Sequence, residues 1–139
     1  MRLSAHDARA RFASARVARL ATVRSDGTPH LVPIVFALEA DTLCFAVDGK
    51  PKSTTALQRL ANIAAQPRVS VLADCYDEDW ARLWWARADG LATVADAVSA
   101  HGRHAVGLLV ACYPQYREQR PSGPVVTVRV DAWTGWSAT

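Results

Sequence analysis

Lysine is nearly missing from this chain. Of its 16 basic residues only Lys50 and Lys52 are lysines, set one residue apart in an otherwise arginine-rich sequence. Cysteine is also sparse. Cys44, Cys75 and Cys112 are odd in number, widely spaced and form no C-x-x-C pair. This argues against a disulfide framework or a zinc site and fits a reducing compartment with mostly buried thiols. Long apolar runs are missing too. The longest, 105–112, contains Gly107 and is far shorter than the ~20 residues a spanning helix needs, so no membrane span is expected. The first seven residues hold no extended apolar core, so no secretory leader is expected and the chain reads as cytoplasmic. A net charge of +3 is too mild to single out nucleic acid as a partner. The sequence contains no Walker loop, no G-x-G-x-x-G and no G-x-S-x-G elbow, which removes the common phosphate-loop and serine-hydrolase readings.

What is present is a folding chain. Half of its 139 residues are hydrophobic, enough for one domain, 1–139, that buries roughly two-thirds of its unfolded surface. Ser4, with Asp7 one turn on, marks a helix start running to about Arg16. Residues 19–24 and 29–38 read as strands joined by Ser25-Asp26-Gly27-Thr28, because Asp-Gly supplies the backbone a tight hairpin needs. A turn at Ala40-Asp41 and a third strand, 42–47, complete a meander. Ser53 can cap a helix through Ala65, with Leu57, Leu60, Ala61 and Ala64 at helical spacing toward the core. Strands follow at 68–73 and 80–94, the latter interrupted at Asp89-Gly90 by a bulge or turn. A helix over 96–120 wobbles at Tyr113-Pro114, and a last strand spans 125–130. Strands outnumber helices and lack βαβ alternation, so a mainly β (α+β) barrel with helices filling its gaps fits best.

The turn Lys50-Pro51-Lys52-Ser53-Thr54 admits two readings. Two ammonium groups and several hydroxyls beside a helix N-terminus suit a phosphate, yet a solvated turn with a capping serine explains the same residues. Pro33, within Leu31-Val32-Pro33-Ile34, removes a strand N–H. It marks either an edge strand or a place where a flat ring approaches the backbone. His30 alone reads as a surface or hydrogen-bonded histidine rather than a catalyst. Asp77-Glu78-Asp79 lacks the alternation of a cation loop. His101 and His104 share a helix face without a further ligand to complete a metal set. Trp84 and Trp85 point to opposite faces of any regular strand, so one can fill the barrel while the other needs a partner surface or a ligand.

Taken together, Ala18-Arg19-Leu20-Ala21-Thr22-Val23, Asp26-Gly27-Thr28-Pro29-His30, Val32-Pro33-Ile34, Lys50-Pro51-Lys52, Leu60-Ala61-Asn62-Ile63, Pro67-Arg68-Val69-Ser70-Val71, Asp79-Trp80 and Ala88-Asp89-Gly90-Leu91-Ala92 resemble the pyridoxamine-phosphate-oxidase-like split-barrel proteins. The resemblance spans about residues 5–130 and is nearest the flavin/deazaflavin branch of probable F420-dependent oxidoreductases. It implies a six-stranded antiparallel split β-barrel of the FMN-binding type and a homodimer with cofactor sites at its interface. The implied cofactor is F420, with FMN as the alternative. Lys50 and Lys52 would hold its phosphate with Ser53 and Thr54 as hydroxyl donors. The backbone of Leu31, Val32 and Pro33 would lie beside the ring, and Trp80 would reach the interface site. The implied activity is hydride transfer between cofactor and an unsaturated small molecule, with His30 a candidate proton donor and Arg68, Arg82 and Arg87 available to a basic entrance. The FMN-using oxidases carry a Ser-Arg-Lys style phosphate set; Lys50-Pro51-Lys52-Ser53 departs from it and favours F420. A non-catalytic carrier of flavin, F420 or haem is the alternative class.

Overall fold

The computed structural model describes residues 1–47 and 54–139, and of residues 54–57 the backbone alone. In chain order the elements are α1 (Ala5–Ala13), β1 (Ala18–Val23), β2 (Pro29–Ile34), β3 (Ala37–Glu39), β4 (Thr42–Ala46), α2 (Thr54–Ala65), β5 (Arg68–Cys75), a 3₁₀ turn (Trp80–Arg82), β6 (Trp84–Ala95), α3 (Ala100–Cys112), α4 (Pro114–Glu118) and β7 (Val125–Ser137).

The strands form one antiparallel sheet in the order β2-β1-β5-β6-β7-β4-β3. β2 and β3 are consecutive in the chain yet lie at opposite ends of that order, so the segment 29–39 belongs to both edges and closes the sheet into a barrel. This corrects the expected count. There are seven strands rather than six, because the expected strand 29–38 breaks at Val35-Phe36. The physical reason lies far away in sequence. Tyr113 Oη accepts the Phe36 N–H at 3.1 Å and donates to the Phe36 carbonyl at 2.6 Å, satisfying by a side chain the backbone groups a neighbouring strand would otherwise bind.

Leu20, Leu43, Phe45, Val71, Val126 and Val128 fill the barrel. α1 plugs one end with Phe12, whose ring lies 4.9 Å from Phe36 and 5.3 Å from Trp133. Ser4 caps α1 as expected, accepting the Asp7 N–H at 3.1 Å. The helix stops at Ala13, short of Arg16, where the Ser14 N–H and hydroxyl both turn back to the Arg11 carbonyl.

α2 meets only part of the face that its apolar spacing suggests, and the Leu57 side chain lies outside the described residues. Ala61 and Ala64 are exposed, whereas Asn62 and Ile63 are buried and Leu60 packs against the core. Gln58 Nε2 donates to Asn62 Oδ1 at 2.6 Å and Asn62 Nδ2 donates to Thr22 Oγ1 at 2.9 Å. A buried polar chain therefore anchors the helix, and a hydrophobic pattern does not register it. The expected helix 96–120 divides into α3 and α4: Tyr113 takes an extended conformation and Pro114 opens the second helix. β6 begins at Trp84 rather than Trp80, since Asp79 Oδ1 caps the preceding turn through the Ala81 N–H. A bulge between Asp89 and Gly90 interrupts its register with β7. Among the described residues, no helix is long and apolar enough to cross a membrane.

Candidate functional site

The break between β2 and β3 leaves a concavity where the bent segment changes partner from β1 to β4. A cavity of about 520 Å³ opens there. One wall is strand: Pro33, Ile34 and Val35 from the break, with Ala46 and Val47 from the end of β4. The other wall carries polar groups, Arg59 from α2, Tyr116 from α4, and Arg120 and Ser122 from the segment leading into β7. Among the described residues the charged side chains of the lining are two guanidinium groups, Arg59 and Arg120, and they give this wall a positive potential. The arrangement suits a molecule with an apolar planar body and an anionic end.

The expected site residues distribute unevenly around this cavity. Lys50, Lys52 and Ser53 lie outside the described residues, as does the side chain of Thr54, the first residue of α2. Strand side chains alternate, so the Val32 side chain faces away from those of Leu31 and Pro33. Val32 points into the core, and Pro33 lines the cavity. Leu31 is 67 % exposed and opens onto a separate groove with Leu72, Arg19, Asp74 and Arg87. Trp80 sits in the turn before β6, 69 % exposed, and does not line the cavity.

His30 lies opposite Thr22 in the hairpin register, on the same strand face as Val32 and Ile34. Its Nδ1 is buried without a hydrogen-bond partner. Burial, reinforced by the positive charges of Arg24 and Arg59, pushes its pKa below the ordinary histidine range. The imidazole does not line the cavity.

The basic residues expected at an entrance are engaged elsewhere. Arg68 pairs with Asp131 at 3.1 Å and Arg82 with Asp77 at 3.7 Å, while Arg87 pairs with Asp89 at 3.0 Å and lies over the Trp85 ring. The arginines that do line the cavity, Arg59 and Arg120, carry no signal in the sequence, nor do Tyr116 and Ser122. Nothing local marks them, since their role depends on 116–122 folding back against the split. His104 bonds Glu39 at 2.9 Å and His101 bonds Thr127 at 3.1 Å. Among the described residues no cluster of histidine, cysteine and carboxylate side chains could hold a metal ion.

Comparison with known proteins gives the same architecture. No curated protein sequence matches the chain. Its fold is similar to that of a FAD-binding protein from Mesorhizobium loti, at 19 % identity and a TM-score of 0.75 over 97 % of this chain and 95 % of that one. It is similar to a FAD-binding protein from Mycobacterium smegmatis, at 21 % identity and a TM-score of 0.65 over 98 % and 97 %. The haem storage protein of Vibrio cholerae is similar too, at 16 % identity and a TM-score of 0.70 over 99 % and 95 %. At these identities the likeness is one of fold. The sequence model of the pyridoxamine 5'-phosphate oxidases matches residues 5–137, nearly the whole barrel including the split and its cavity, and the chain belongs to that family.

Proposed function

We propose that this protein is an oxidoreductase that binds a phosphate-bearing flavin-type cofactor, F420 before FMN, at the split. There it serves hydride transfer between that cofactor and an unsaturated organic substrate. The observation that carries this reading is the cavity of about 520 Å³ with an apolar strand wall facing Arg59, Arg120 and Ser122.

The donor set fits the group. Arg59 and Arg120 offer forked N–H donors to a phosphate or acidic tail, and the Ser122 hydroxyl adds a neutral donor. In this proposal Lys50, Lys52, Ser53 and Thr54, which lead directly into α2, complete the anion end. Pro33, Ile34, Val35, Ala46 and Val47 would lie against the ring and keep water from one of its faces. When bound, such a ring supplies or accepts a hydride. The chain's own part is to hold and orient it and to leave the opposite face open to a substrate. No lining side chain need act as a nucleophile, and the balancing proton can come from solvent through the open mouth.

Flavin itself is the second reading, favoured by the two FAD-binding proteins of similar fold. A haem carrier is a third, suggested by the haem storage protein. Among the described lining residues the Tyr116 phenol is the group that would hold its iron, and the lining offers no imidazole or thiol. Oxidation of reduced F420 by a quinone or enone separates an enzyme from a carrier. Catalytic amounts of protein are expected to accelerate it well above the rate without protein; binding without acceleration would leave only the carrier.

Within the same proposal the protein works as a homodimer. Leu31, and Leu72 at 37 % exposure, form an apolar floor on the outer face of β2, β1 and β5, rimmed by Arg19, Asp74 and Arg87, charges of both signs that a second copy could match. Sedimentation is expected to give twice the chain mass at micromolar concentration, and a monomer throughout would remove this part.

A further inference from the structure

On the outer face of the barrel β4, β7 and β6 run side by side. Thr42 lies beside Arg129 and Arg129 beside Leu91; two residues along the ladder, Thr127 lies beside Thr93. α3 covers the neighbouring part of this face, packing Ala105, Val106 and Leu109 on Cys44 and Val125. Coverage ends where the helix begins. There His101, its second residue, reaches down to Thr127, with Nε2 3.1 Å from Oγ1. A groove of about 380 Å³ is left, lined by Thr42, Leu91, Thr93, His101, Thr127 and Arg129.

The chemistry of this groove points one way. Among the described residues, the Arg129 guanidinium and the hydroxyls of Thr42 and Thr93 have no hydrogen bond or ion pair. Among the described residues no carboxylate lines the groove. Asp131, on the same strand, is held by Arg68, and Glu39 is held by His104. α3 carries no acidic residue in its first turn, so the partial positive charge of its N-terminus is not offset from within the helix. A forked cation, hydroxyl donors and an imidazole beside a positive helix end are the groups that recognise an oxyanion.

We propose that this groove is a second binding site, for a molecule carrying a phosphate-type oxyanion, with Arg129 as its principal contact. It is separate from the cavity at the split. Thr42 and Ala46 stand at the two ends of β4, roughly 13 Å apart at the usual rise of a strand. Its existence does not depend on the cofactor assignment.

Inorganic phosphate, exchanged against chloride at constant ionic strength, is the probe, and backbone amide shifts are the readout. Saturable shifts are expected at Thr93, His101, Thr127 and Arg129, half-complete at roughly 1 mM or below. Arg129→Gln, on an exposed strand position, is expected to keep its thermal midpoint and weaken binding about 10-fold. Arg129→Lys, which keeps the charge and loses the fork, should fall between the two. Amides of Gln119, Arg120 and Ser122 report the cavity at the split in the same titration, so phosphate seated there is told apart. Shifts in the groove that climb linearly without saturating, or affinity unchanged in Arg129→Gln, would overturn the proposal.

Discussion

Gly90→Ala is expected to destabilise the protein to the edge of unfolding. Gly90 is buried in β6 at the bulge, where the register to β7 jumps from Asp89–Ala132 to Gly90–Val130 and skips Asp131. A Cβ at this position would lie 2.2 Å from the Arg129 carbonyl oxygen, 2.8 Å from its carbon and 3.0 Å from Val130 Cα. All three are backbone atoms of the partner strand, so no rotamer change relieves the clash. Either the bulge opens or β7 is pushed away from β6, the strand it pairs with along its length. Overpacking of this kind costs about 3 kcal/mol or more, a large share of the 5–15 kcal/mol typical of a domain. Urea unfolding measures it. Gly107→Ala is the control, because a Cβ there meets nothing within 4 Å on α3. It should be neutral or stabilising by about 0.5–1 kcal/mol. A Gly90→Ala midpoint equal to that of the wild type would show that the close approach of β7 is not a constraint.

The second large effect concerns binding. Replacing both Lys50 and Lys52 with alanine is expected to weaken F420 about 100-fold, taking each charge-assisted contact to phosphate at roughly 1.5 kcal/mol. These are the only lysines of the chain and they stand immediately before α2, whose Arg59 lines the cavity. The loss should shrink as salt is raised, because screening weakens exposed charge pairs. It should leave stability nearly unchanged, since lysine side chains are almost never fully buried.

Much of the fold is legible in the sequence wherever its cause is local. Asp26-Gly27 announces its hairpin because one glycine adopts φ 88° and Asp26 Oδ1 accepts the Thr28 N–H at 2.9 Å, both within the turn. Ser4 announces α1 for the same reason, and Asp89-Gly90 its bulge. Two larger departures have distant causes. The strand 29–38 breaks because the Tyr113 hydroxyl takes over the Phe36 backbone. α2 turns Asn62 inward because Thr22 waits for it. The candidate site follows the same rule. Pro33 is visible as a strand residue without an N–H, and it does line the cavity. Arg59 and Arg120 look like any other arginines of an arginine-rich chain until α2 and the 116–122 segment converge on the split.

Equilibrium titration of F420, and separately of FMN, into the wild type and into the Lys50→Ala, Lys52→Ala double variant tests the central assignment most directly. Saturable binding of F420 by the wild type is expected, tighter than that of FMN, with about 100-fold weaker binding in the double variant. Absence of saturable binding of either cofactor to the wild type, or equal F420 affinity in the two proteins, would contradict it.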